Sequence, residues 1–211
     1  MSLPILDLRM YLDDEGTRGI PGTGDVHTRF HSFEMRQRLI DANGTAANQV
    51  MWVAAPDPRS NQNAVASGLA LDLMDQWLEN LRADGSGEDY AKKVLRAKPA
   101  ALQDGCWDPD TGQRIDEPAT FAKSGRCNTL FPYFANPRIV AGAPIQENVV
   151  TCKLKPVALA DYRVGFTGDQ AARLRRLFPD GVCDYSKPGF SQVRFHGPWQ
   201  SFGPARLASG E

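Results

Sequence analysis

An α/β fold of βαβα order, continued by a loop-rich segment tied by disulfides, is what this 211-residue sequence predicts. Strand-like apolar runs alternate with helical periodicity from residue 3 to about 96. From Pro99 the periodicity nearly vanishes, and 11 of the 15 prolines lie in this second half. All four cysteines, Cys106, Cys127, Cys152 and Cys183, lie there too.

The first strand is read at Pro4–Met10, a short apolar run interrupted by Asp7 and Arg9. A helix follows over Ser32–Ala42, with Ser32 as its cap, Met35, Leu39 and Ala42 on one face, and Asn43-Gly44 as a left-handed stop. Asn48–Ala54 is a second, buried strand. Strand, helix and strand in that order form a βαβ unit, whose strands lie parallel. The clearest helix runs from about Asn63 to Leu81. Val65, Leu69, Leu73, Trp77 and Leu81 make one stripe, and Ala66, Ala70, Met74 and Leu78 the adjacent one. Asp84-Gly85-Ser86-Gly87 ends it, and Glu88–Arg96 has the pattern of a shorter helix.

Beyond Pro99 one helix is expected, Gln170–Phe178, led by Gly168-Asp169 and stopped by Pro179-Asp180-Gly181. The organisation expected is therefore residues 1–98 as the α/β part and 99–211 as an irregular wrap packed on the same domain. The cysteines are 21, 25 and 31 residues apart, too far for a zinc knuckle or a redox pair, and an even number in loops reads as two disulfides. Three connectivities are open. Sequential pairing would close loops worth about 3 kcal/mol each.

Charge and hydropathy exclude several classes of function. The 24 Lys+Arg balance 25 Asp+Glu, with no basic run, so nucleic acid is not an expected partner. No apolar run reaches the roughly 20 residues that span a bilayer. Neither a Walker loop nor a G-x-G-x-x-G turn occurs, and no cofactor is expected. A G-x-S-x-G nucleophile turn is also missing; the nearest run, Gly189-Phe190-Ser191-Gln192-Val193, lacks the second glycine and the strand-turn-helix context.

What could carry chemistry is a polar cluster after the first strand: Asp13-Asp14-Glu15, then Asp25-Val26-His27-Thr28-Arg29-Phe30-His31-Ser32. Ligands gather at the C-terminal ends of parallel strands, so a carboxylate and an imidazole are expected to act here. His27 can serve as a general base and a carboxylate can orient it. The other histidines read as structural, His31 as a helix-start residue and His196 as a loop residue. A metal held by His27 and His31 would need both on one helical face, and His27 precedes the helix; no metal is assigned.

In order along the chain, Pro4–Arg9, Gly24-Asp25-Val26-His27, His31-Ser32-Phe33, Arg36 and Asn48-Gln49-Val50 resemble a family of large secreted bacterial proteins carrying domain of unknown function 6351. Met74–Leu78, Cys152–Pro156, Phe178–Gly189 and Gly197-Pro198-Trp199 extend the likeness to the far half, with Pro179–Gly189 the most specific piece. The resemblance implies that this chain is the C-terminal βαβα portion of an α/β-hydrolase-like sheet, with its signal for export and its serine nucleophile in an upstream part. It thus implies a secreted or periplasmic hydrolase-like protein, active on a small-molecule or polymer ester when complete, whose missing upstream part is the partner of this chain.

Hydrolases of this fold run serine, acid, histidine along the chain. Counting from the strand, Asp13 takes the acid's place; counting back from the helix, Asp25 does, with Thr17–Gly24 as an insertion between them. After the second strand, Ala54-Ala55-Pro56-Asp57-Pro58-Arg59 holds no histidine. Either His27 replaces the usual base, or the scaffold is a non-catalytic structural or interaction module.

Overall fold

The computed structural model describes residues 3–13, 28–55, 62–134, 136–162 and 165–192. Two compact units divide the chain, residues 1–147 and 148–211, so the change in sequence grammar at Pro99 falls inside the first unit.

The first unit is built on strand β1 (Ile5–Met10), helix α1 (Phe30–Asn43) and strand β2 (Gln49–Ala54). The strands pair in parallel, Ile5 opposite Gln49 through Met10 opposite Ala54, as a βαβ unit requires. Helix α1 stops where expected, with Gly44 at φ 74° and its N–H bonded to the Ile40 carbonyl. Its start differs. Ser32 lies inside the helix, buried, and its hydroxyl accepts a short hydrogen bond from Arg9 Nε, so it caps nothing. Arg29 holds the cap position without a side-chain cap of its own.

β2 is buried at all six positions, the mark of a strand covered on both faces. Val50, Trp52 and Ala54 face one core, with Ala66 and Trp77 of α2 (Gln62–Ala83), Val94 and Ala97 of α3 (Tyr90–Ala97), Leu102 and Trp107. Val53 faces the other, with Tyr11, Cys106, Cys127 and Phe131. The apolar face of α2 is centred on Ala66, Leu69, Ala70, Leu73 and Trp77, leaving Val65 and Leu78 at its exposed margins. Two of the buried indoles donate to backbone carbonyls: Trp52 Nε1 to Gln103 at 2.6 Å and Trp77 Nε1 to Val94 at 2.8 Å.

Two three-residue strands complete the sheet, β3 (Gly105–Trp107) parallel to β2, and β4 (Arg114–Asp116) antiparallel to β3. The order is β1-β2-β3-β4, which leaves β1 at an edge with its six residues only partly buried. Gly105 must be glycine in practice, because a Cβ there would meet the Ile115 carbonyl oxygen at 2.3 Å. Short helices α4 (Arg126–Leu130) and α5 (Pro137–Val140) follow. The Cys106–Cys127 disulfide ties β3 to α4.

The second unit pairs β5 (Leu154–Lys155) antiparallel with β6 (Val182–Cys183), with α6 (Gly168–Leu177) between them. The Cys152–Cys183 disulfide closes it, so the pairing is sequential. Asp184 accepts from the Ser186 hydroxyl and from Lys187, which hold its carboxyl at about 2, well below the usual range. Helix α6 begins with a reciprocal cap: the Thr167 side chain accepts from the Gln170 amide while Gln170 reaches back to the Thr167 amide. Thr167→Ala is expected to destabilise this unit by about 1 kcal/mol, read as faster hydrogen exchange in the first turn of α6.

Candidate functional site at the strand ends

Both long strands run the same way, so their C-terminal ends share one edge of the sheet, and the polar segment after β1 leaves from that edge. Asp14, Glu15, Asp25 and His27 lie outside the described residues, as does His196. Asp13 is described, and its surroundings differ from those of a solvated loop charge. It is 1% exposed, and both carboxylate oxygens accept from the Arg29 backbone N–H, at 2.8 and 3.0 Å. Helix α1 is thus capped by a carboxylate 16 residues upstream, which satisfies an orphan amide and complements the positive end of the helix.

The Arg29 side chain is buried as well. Its Nη1 donates to Asn128 Oδ1 at 2.8 Å and to the Phe131 carbonyl at 2.7 Å, and the guanidinium lies 5.3 Å from the centre of the Phe33 ring. Burial pushes this group below its ordinary value, against the pull of Asp13, Tyr11 and Tyr133. Burial also pushes the Tyr133 phenol up, with Arg29 opposing it. Tyr11 completes the wall, its hydroxyl donating to the Pro132 carbonyl at 2.6 Å. Asp13, Arg29 and α4 therefore fix the two ends of the polar segment, after β1 and before α1.

His31 is the second residue of α1 and has a partner that the sequence alone does not single out. Its Nδ1 is 2.7 Å from Glu34 Oε2, and the other Glu34 oxygen meets Arg38 Nη2 at 2.5 Å. The spacing of three residues was the available signal, since positions i and i+3 share a helix face. This pair borders an open groove of about 400 Å³ along β1, shared with Asp7, Arg9 and Met35. Ser191 sits in a turn of the second unit. Among the described residues no group of three or more His, Cys, Asp or Glu could hold a metal ion. Among the same residues no helix is long and apolar enough to cross a membrane.

No curated protein and no solved structure matches the chain. A family match does exist, and it runs from the first residue of the chain through β1, the polar segment and both disulfides to residue 194. The chain belongs to the tannase-like family of unknown function (DUF6351).

Proposed function

We propose that this chain is the C-terminal portion of an exported ester hydrolase and supplies the base and its orienting acid, while an upstream part supplies the serine. The observation that supports the reading is that Asp13 and Arg29, which bracket the sequence segment containing His27, are held together beside the C-terminal ends of two parallel strands, where this class of fold gathers its catalytic loops. Among the described residues β1 is at the sheet edge, and its outer side is where a strand of the upstream part would pair. Two disulfides fit an oxidising compartment and hence export.

In this reading the His27 imidazole takes the serine proton as the hydroxyl oxygen attacks the ester carbonyl. The imidazolium returns that proton to the departing alcohol, and water then releases the acyl group by the same route. Asp25 or Asp13 holds the ring. Asp25 is the nearer in sequence, and Asp13 already accepts the Arg29 amide with both oxygens.

The test is made on the protein extended to include its upstream part. A fluorophosphonate probe is expected to label one serine there, and His27→Ala to lower both labelling and aryl-ester hydrolysis by at least about a thousandfold. His31→Ala is expected to leave both unchanged; loss of labelling in that variant alone would transfer the base to the His31–Glu34 pair. A second reading, a non-catalytic module on the same scaffold, is favoured by the burial of Asp13 and its role in holding the Arg29 amide at the start of α1. It requires no labelling at any length, and a stability loss of only about 1 kcal/mol in His27→Ala.

A further inference from the structure

The end of α1 carries a feature that the hydrolase reading leaves unused. Asn43 is the last residue of the helix, and Gly44 follows it in the left-handed conformation, at φ 74° and ψ -5°. They form the one Asn-Gly pair in the chain. Both residues are exposed, as is Thr45. Glycine ends a helix well because it takes a positive φ without strain. The same choice leaves the Gly44 nitrogen without a neighbouring side chain to shield it, and even a Cβ built there would meet no heavy atom within 4 Å. Among the described residues none holds the Asn43 carboxamide by a hydrogen bond.

One contact restrains the pair. The Gly44 N–H donates to the Ile40 carbonyl at 2.8 Å and closes the last turn of α1. An amide nitrogen attacks a carbonyl carbon only after giving up its proton, and a proton held in a hydrogen bond is given up less readily. The same turn keeps the Asn43 backbone helical. Terminal turns open at little cost when few buried contacts oppose them, and Ile40, Asp41 and Ala42 are exposed too.

We propose that Asn43 is a site of spontaneous deamidation, gated by opening of the last turn of α1. Once the turn opens, the Gly44 nitrogen loses its proton to solvent base and bonds to the side-chain carbonyl carbon of Asn43. The carboxamide C–N bond breaks, ammonia leaves, and a cyclic imide remains. Water then adds across one of the two imide C–N bonds, leaving aspartate or isoaspartate. The net change consumes water and releases ammonia, with nothing oxidised or reduced. Either product puts a carboxylate at the negative end of the α1 dipole, and isoaspartate also lengthens the backbone where the Gly44 contact closes. Modification therefore loosens the turn that had delayed it. The site is independent of the hydrolase reading and uses none of the residues assigned there.

The folded chain and a capped peptide of residues 41–46 are incubated side by side in mildly alkaline heavy-oxygen water. Peptide mapping by mass spectrometry locates the label taken up, and electron-transfer fragmentation separates aspartate from isoaspartate. Label is expected at Asn43 ahead of every other asparagine, and about tenfold or more slower than in the peptide. Ala42→Gly weakens the last turn without touching the reacting pair. It is expected to speed the reaction several-fold and to raise hydrogen exchange at the Gly44 amide in step, with circular dichroism establishing that the variant remains folded. Reaction first at another asparagine, or none at Asn43, would overturn the site. A folded chain reacting as fast as the peptide would overturn the gate, and so would faster exchange at Gly44 in Ala42→Gly with deamidation unchanged.

Discussion

Replacement of Arg36 by methionine is expected to destabilise the first unit by about 3–5 kcal/mol, the usual consequence of removing one partner from a largely buried ion pair. Arg36 on α1 clamps Asp104 through two parallel hydrogen bonds, and the same carboxylate accepts from the backbone amides of Met51 and Ala119, at 2.9 and 3.0 Å. Both side chains are mostly buried, at 17% and 14% exposure, so solvent screens the pair only partly. Without the guanidinium, Asp104 keeps its desolvation and loses its charge partner, and Gln49 Oε1 loses its donor. Arg36→Lys should recover part of the loss, because a point cation cannot meet both carboxylate oxygens in the plane of a fork. Urea denaturation monitored by tryptophan fluorescence reads the effect through Trp52 and Trp107, and a loss below about 1 kcal/mol would place the clamp among ordinary surface pairs.

The sign of the pH dependence follows from the same contacts. Burial alone would raise the Asp104 carboxyl, but Arg36 and the two backbone donors outweigh it and hold the group below its ordinary value. A depressed carboxylate stabilises the folded state fully above the unfolded value, near 3.8, and the contribution fades as the pH falls through the folded one. Asp104→Asn should therefore be less stable than the parent chain at neutral pH, and the difference should shrink on acidification below about pH 4.

Removal of the Cys106–Cys127 disulfide by paired alanine substitution is expected to cost about 3 kcal/mol, from the entropy returned to an unfolded chain otherwise closed over 21 residues. Both cysteines are buried, at 0% and 5% exposure, so the substitution also thins the core around Val53 and Phe131. The effect should reach the candidate site. The disulfide holds α4, and α4 with the residue after it supplies the Asn128 and Phe131 oxygens that cradle Arg29. Hydrogen exchange at the Arg29 and Phe30 amides should rise in this variant. A stability within about 1 kcal/mol of the parent would mean that the unfolded chain keeps this loop closed without the bond. Removal of Cys152–Cys183 should instead loosen the amides of β5 and β6 in the second unit.

Local signals in the sequence determined the order β1, α1, β2, α2, the stop at Gly44, the apolar face around Trp77, and the helix before Pro179. Each is set by residues within a few positions of one another, because helix periodicity, left-handed glycine and capping act over one or two turns of chain. The polar segment that follows the first strand was legible for the same reason. What only the tertiary structure decided lies between distant residues. Asp13 caps a helix 16 positions later, Arg36 grips a carboxylate 68 positions later, and Arg29 is held by α4 from 99 positions away. No local pattern encodes such pairs, and Ser32, the better local cap, is instead taken by Arg9. Strands β3 and β4 belong with them: three residues are too few to show a period, and their hydrogen bonds exist only because β2 is already there to receive them. The pairing of the cysteines was likewise open among three arrangements until the fold brought Cys106 beside Cys127 and Cys152 beside Cys183, since bond formation depends on proximity in space and not on spacing along the chain.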